Sequence, residues 1–191
     1  MKLISLLVLG LVSLNSYGVE IIAIGTSNTN CKNAGQAYTA TLNELLAKDG
    51  VKVINAGKDG DRPANMKHRL DALLRDNPNT KLVILEPGPN ERNTQASVEP
   101  TEEMLAQLQR INMPTVYVSH KYIQDRWEAK NTANKYSAYH YGHWDKDVPV
   151  DTEHRQYDQP SGSGHMTEKG CRLWANNILD TIKQAMKERN Q

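Results

Sequence analysis

Val19-Glu20-Ile21-Ile22-Ala23-Ile24-Gly25-Thr26-Ser27-Asn28 decides the fold. Apart from Glu20, residues 19–24 are an unbroken apolar run, the pattern of a strand buried on both faces rather than one. The glycine at its end lets the backbone turn sharply. Reading outward, residues 36–47 repeat Tyr38, Leu42, Leu45 and Leu46 on one helical face, and Asp49-Gly50 closes that segment. Residues 51–55 predict a second strand. A helix opens at Pro63, a favoured first-turn residue, and buries Met66, Leu70, Leu73 and Leu74. A third strand is predicted over 81–85, a helix over 101–111, a fourth strand over 115–119, and a last helix over 167–188 with Cys171, Trp174, Ala175, Ile178, Ile182 and Met186 in helical register. Alternation of strand and helix implies parallel strands joined by right-handed crossovers. One domain of this length, 191 residues, carries a full core.

Residues 121–160 depart from this rhythm. They concentrate Tyr136, Tyr139, Tyr141, Trp144 and Tyr157, with His140, His143 and His154 among them. A helix over 125–138 and a short strand over 148–150 are predicted, the remainder being a long loop of the kind that shapes binding sites. It could lie against sugar rings, or simply cover the sheet.

Composition excludes several functions. With 23 basic and 22 acidic residues and no basic stripe, nucleic acid is not an expected partner. Lys2, an apolar run of about a dozen residues (3–14) and the small residues of Ser16-Tyr17-Gly18 have the form of an export signal over residues 1–18, leaving a domain over 19–191. The run is shorter than the ~20 residues that span a bilayer, so no stable membrane insertion is expected after cleavage. The expected location is outside the cytoplasm, secreted or periplasmic.

Four short motifs follow the strands or open the final helix: Gly25-Thr26-Ser27-Asn28, Asn55-Ala56-Gly57-Lys58-Asp59-Gly60-Asp61, Gly88-Pro89-Asn90-Glu91 and Gly164-His165-Met166-Thr167. Serine, glycine, asparagine and histidine in this order resemble the SGNH (GDSL-like) hydrolase family, and within it the bacterial exported thioesterase/lysophospholipase type of esterase. The resemblance implies a three-layer α/β/α sandwich with a mostly parallel central sheet, the flavodoxin-like arrangement of that family. It also implies a serine esterase in which Ser27 attacks an ester carbonyl and His165 moves the proton. The oxyanion would be held by the N–H groups of Ser27 and a glycine and by the Asn90 side chain. Of Gly57 and Gly60, the branch's glycine–aspartate pair points to Gly60-Asp61. Neither metal nor organic cofactor is implied. The substrate would be a small-molecule or polysaccharide ester, either a carbohydrate O-acetyl group or a lipid or thioester.

The pattern departs from the family at three places. Thr26 stands where an acid is usual and Glu91 where aspartate is usual. The family's Asp-x-x-His places Gly162 where the orienting carboxylate belongs. A Ser–His dyad and a relocated carboxylate remain open, with Asp158 nearest and Asp151 and Glu153 as further candidates. So does a catalytically inactive carbohydrate-binding protein on the same fold. Ser27 also has a plain reading as a helix N-cap. A nucleotide binder finds no support, because the turn after residue 24 has no glycine-rich phosphate loop. Cys31 follows Ser27 closely, and Cys171 follows His165. If those two residues meet, a disulfide bracing the site becomes feasible; two separate buried thiols are the alternative.

Overall fold

A computed structural model describes residues 18–188 except 92 and 161. The predicted export signal therefore lies outside the described residues, Gly18 excepted. Among the described residues five strands form one sheet: β1 (Val19–Gly25), β2 (Val51–Gly57), β3 (Thr80–Glu86), β4 (Thr115–Ser119) and β5 (Tyr139–His143). Their order is β2-β1-β3-β4-β5, and every pairing is parallel. The α-helices described with them are α1 (Ser27–Asn30), α2 (Ala37–Leu46), α3 (Pro63–Asp76), α4 (Thr94–Arg110), α5 (Arg126–Lys135) and α6 (Glu168–Glu188).

The period-two geometry of a strand explains why the apolar runs are continuous. Ile21 and Ala23 point to one face, where they join Leu82, Ile84, Val116 and Val118 against Tyr38 and Leu42 of α2 and Trp174, Ile178 and Ile182 of α6. Ile22 and Ile24 point to the other, meeting Val83, Leu85 and Tyr117 against Met66 and Leu70 of α3 and Met104, Leu105 and Leu108 of α4. Tyr38 and Trp174 stack with ring centroids 3.9 Å apart, locking α2 to α6. Three layers result, α/β/α. Strand order reverses between β1 and β3, and the crevice outside the carboxyl ends of strands at such a point is where doubly wound sheets bind ligands.

Three predicted elements differ. The helix expected from 101 begins at Thr94, with Asn93 Oδ1 accepting from the Gln95 and Ala96 N–H groups at 2.9 and 3.3 Å. Pro100, which reads as a helix boundary, lies inside it. No strand forms at 148–150. The carbonyls of Val148 and Pro149 instead accept the buried Arg155 guanidinium at 3.1 and 3.2 Å. The fifth strand comes from Tyr-His-Tyr-Gly-His at 139–143, where β-favouring aromatics stand among residues without clean alternation. The helix predicted over 125–138 is shorter, Arg126–Lys135, with Asp125 and Glu128 forming a capping box.

Candidate active site

β1 delivers the chain into a crowded turn. A Cβ on Gly25 would fall 2.1 Å from Thr29 Oγ1 and 2.7 Å from Glu86 Oε2, so only glycine fits. Thr26, not Ser27, caps α1: its hydroxyl accepts from the Asn28 N–H at 3.2 Å. The N-cap reading of Ser27 is thereby replaced. Ser27 is the first residue of the helix, and its hydroxyl has a different partner. Ser27 Oγ lies 2.8 Å from His165 Nε2. His165 Nδ1 lies 2.6 Å from Asp158 Oδ2, and the His165 backbone N–H donates to Asp158 Oδ1 at 2.9 Å. A ring that donates Nδ1–H to a carboxylate leaves Nε2 as an acceptor for the serine proton. Burial pushes the Asp158 carboxyl upward, but the His165 N–H and imidazole outweigh it and hold the group below its ordinary value.

Of the three carboxylates open in the sequence, the structure brings Asp158 to His165. Asp151 is engaged 2.7 Å from His154 Nδ1, and Glu153 pairs with Lys169. Gly162, three before the histidine, has a φ of 153° and no neighbour that a Cβ would touch. Asp158 reaches the ring from seven residues upstream because the chain folds back on itself. The Tyr157 N–H donates to Ser163 O at 2.8 Å, the Gln156 N–H donates to His165 O at 2.8 Å, and Arg155 and Met166 pair antiparallel. Gly164 makes the closure: its φ is +69°, and a Cβ there would stand 2.1 Å from Asp158 Oδ1.

The two candidate glycines separate by surroundings. A Cβ on Gly57 would fall 2.4 Å from Asn30 N, so Gly57 permits close packing of β2 on α1. Gly60, at φ +72° with open space around it, lines the cavity. Asn90 Nδ2 donates to Asp61 O at 2.8 Å. One amide hydrogen thus fixes the side chain while the group retains a second donor. Asp61 is in turn held 2.8 Å from Arg69 NH2, which also donates to Gly25 O at 3.3 Å. Ser27, Gly60, Asn90 and His165 all line one cavity of about 740 Å³.

Glu86 received no role from the sequence, yet it organises the turn. Buried at the end of β3, it accepts from Thr26 N–H (2.9 Å), Thr26 Oγ1 (2.8 Å), Thr29 Oγ1 (3.1 Å) and Asn28 Nδ2 (3.3 Å). Burial raises its carboxyl above the ordinary value, and these donors partly offset the rise. The acid missing at position 26 is therefore supplied across the sheet. Its signal was a carboxylate ending an apolar strand.

The far wall comes from the ends of β4 and β5. His120 stacks on Trp144 with centroids 6.1 Å apart and lies 5.1 Å from Tyr122. Burial, foremost, pushes His120 down to about 4, so it is neutral at neutral pH. Of the loop aromatics singled out in the sequence, Trp144 lines this cavity; Tyr122 joins it, while Tyr136, Tyr139, Tyr141 and Tyr157 are not among its lining residues. Cys31, at the end of α1, and Cys171, on α6, form a disulfide that ties the serine turn to the helix following His165. Among the described residues no group of His, Cys, Asp or Glu is arranged to hold a metal ion, and no helix is long and apolar enough to cross a membrane.

No protein-family model and no curated protein matches the chain. Solved structures do. TesA superposes with a TM-score of 0.72 at 19% identity, covering 87% of this chain and 99% of that one. The psychrotrophic esterase EstA from Pseudoalteromonas sp., in a structure inhibited by monoethylphosphonate, gives 0.71 at 17% identity, covering 88% and 98%. The acetyl xylan esterase AlAXEase gives 0.67 at 15% identity, covering 86% and 100%. Others include AlinE4, an SGNH-hydrolase family esterase, at 0.60 and 21% identity, covering 88% and 97%. The chain has the fold of the GDSL/SGNH esterases over most of its length.

Proposed function

We propose that this protein is an exported serine esterase that hydrolyses short-chain carboxylic esters of polar alcohols, carbohydrate O-acetyl groups being the best fit. The hydrogen-bonded sequence Ser27–His165–Asp158 carries the reading. Ser27 Oγ attacks the ester carbonyl as its proton passes to His165 Nε2. Asp158 holds the ring and stabilises the imidazolium that forms. The N–H groups of Ser27 and Gly60 and the Asn90 amide stabilise the tetrahedral oxyanion. Collapse expels the alcohol, which takes the proton from His165. Water then attacks the acyl-enzyme by the same route and releases the acid.

The lining favours a small acyl group over a lipid chain. Lys32, Asp59, Glu91, Lys121 and Asp145 share the cavity with Asn28 and Gln159, leaving little apolar wall for a long alkyl chain. Trp144, His120 and Tyr122 offer ring faces beside polar groups, the combination a sugar needs. The acetyl xylan esterase among the structural neighbours is consistent with that choice. The Cys31–Cys171 disulfide supports an oxidising compartment, periplasmic or extracellular. With Asp158 at the ring, the missing acid at position 162 no longer favours a binding protein without activity.

Hydrolysis of p-nitrophenyl acetate by the chain from residue 19, beside its Ser27→Ala variant, tests the proposal. Activity that disappears in the variant is expected. Equal rates in the two, or no hydrolysis of acetyl esters by either, would overturn it.

A further inference from the structure

Among the described residues β5 ends the sheet, so one of its sides has no partner strand there. A groove of about 600 Å³ runs beside this edge, between α5 and α6. Arg126 and Lys130 line it from α5, one helical turn apart; Lys146 lines it from the segment after β5, with His140, Tyr139 and Gln184. Among the described residues no carboxylate lines this groove. The chain as a whole is nearly neutral, 23 basic against 22 acidic, and the cavity at Ser27 mixes both signs. A single-sign groove is thus a local segregation of charge. The carboxylates that touch its lining residues are Asp147, 3.8 Å from Lys146 Nζ, and Glu188, 2.6 Å from Tyr139 Oη. Among the described residues no carboxylate pairs with Arg126 or Lys130.

We infer that this groove binds an acidic polysaccharide through its sugar carboxylates. Its cations come from two walls, Arg126 and Lys130 on α5 and Lys146 after β5, which suits charges repeated along a chain. A planar guanidinium at Arg126 can take a carboxylate on two parallel N–H bonds. Single-stranded nucleic acid would need ring faces for its bases. Here Lys146 already lies over the Tyr141 ring, 5.3 Å from its centroid, and the Tyr139 hydroxyl is held by Glu188. An acidic peptide would need a regular edge to extend the sheet. β5 is five residues long, its register with β4 shifts after Tyr117, and Gly142 sits at φ +120°. Such an edge is a poor template for another strand. Burial foremost, with His143, Arg126, Lys130 and Lys146 nearby, pushes His140 down to about 4.

The site is separate from the proposed esterase centre and does not depend on it. Affinity electrophoresis of the whole protein through gels containing polygalacturonate tests it, with neutral xylan as control. Arg126 and Lys130 are exposed, so the Arg126→Glu/Lys130→Glu variant leaves the core untouched. Retardation by polygalacturonate but not xylan is expected, weakened at least tenfold in the variant, with p-nitrophenyl acetate hydrolysis within twofold of the parent. The proposal is overturned by absence of retardation, by equal retardation of the variant, or by tighter retention on a DNA duplex than on polygalacturonate. In the first case the cations would simply guard the sheet edge.

Discussion

Replacing Asp158 by Asn keeps the shape of the side chain and removes the acceptor that fixes His165. The 2.6 Å contact to Nδ1 requires the ring to carry its proton there. An amide can turn its NH2 toward Nδ1. The proton then sits on Nε2, which faces Ser27 Oγ at 2.8 Å and can no longer accept the serine proton. In a serine protease of unrelated fold, the corresponding change lowers turnover about 10⁴-fold. Here the Asp158 side chain is 25% exposed. Water can compete for the ring and rescue part of the correct tautomer, so a loss of ~10³-fold in kcat is expected, or about 4 kcal/mol of transition-state stabilisation. KM should hardly move, because Asp158 is not among the residues lining the cavity. The assay is steady-state hydrolysis of p-nitrophenyl acetate, with a thermal melt to show that the variant folds. A folded variant within tenfold of the parent in kcat would refute the reasoning and leave a Ser–His dyad.

Two further perturbations probe the same site. Asn90→Ala removes one oxyanion donor and should reduce kcat by roughly 100- to 1,000-fold with little change in melting temperature; parental kcat in the variant would exclude the amide from the oxyanion hole. Glu86→Gln should alter the pH dependence of stability. The folded-state pKa of Glu86 is raised, with burial the main cause. The stability it contributes is fully present below the unfolded pKa and is lost as pH rises through the folded one. Urea unfolding at mildly acidic and neutral pH should therefore show a fall in the parent that shrinks in the variant, and the same fall in both would contradict the assignment.

The sheet was legible in the sequence because parallel strands covered on both faces are apolar at every position, as at 21–24 and 82–85. Those stretches needed no tertiary information. The ends of α4 did: Asn93 is recognisable as a cap only once Pro100 is known to be tolerated in the interior. β5 was hidden because Tyr139, Tyr141 and His143 are divided between core and edge rather than alternating apolar with polar. Within the site, Ser27, Gly60, Asn90 and His165 were marked by their positions after strands and before a helix. Glu86 was not, since its partners Thr26, Asn28 and Thr29 belong to another segment, 57 to 60 residues away.

Asp158 shows why a missing motif position is weak evidence for a missing function. The imidazole needs an acceptor near 2.6 Å from Nδ1; it does not need that acceptor at any particular distance along the chain. An acid three residues before the histidine meets the need through a short turn. Here an antiparallel excursion does so from position 158, on three conditions visible in the structure. The strands of the excursion pair through Tyr157 N–H to Ser163 O and Gln156 N–H to His165 O. Gly164 vacates the space that Asp158 Oδ1 occupies. Gln156 Nε2 donates to Lys32 O at 2.7 Å, anchoring the excursion beside the disulfide-bonded turn that carries Ser27. The residue to inspect when the orienting acid is absent from its usual place is therefore the glycine just before the histidine. A side chain at position 164 would close the space used by Asp158, whereas at Gly162 nothing stands where a side chain would be and it is the φ of 153° that favours glycine.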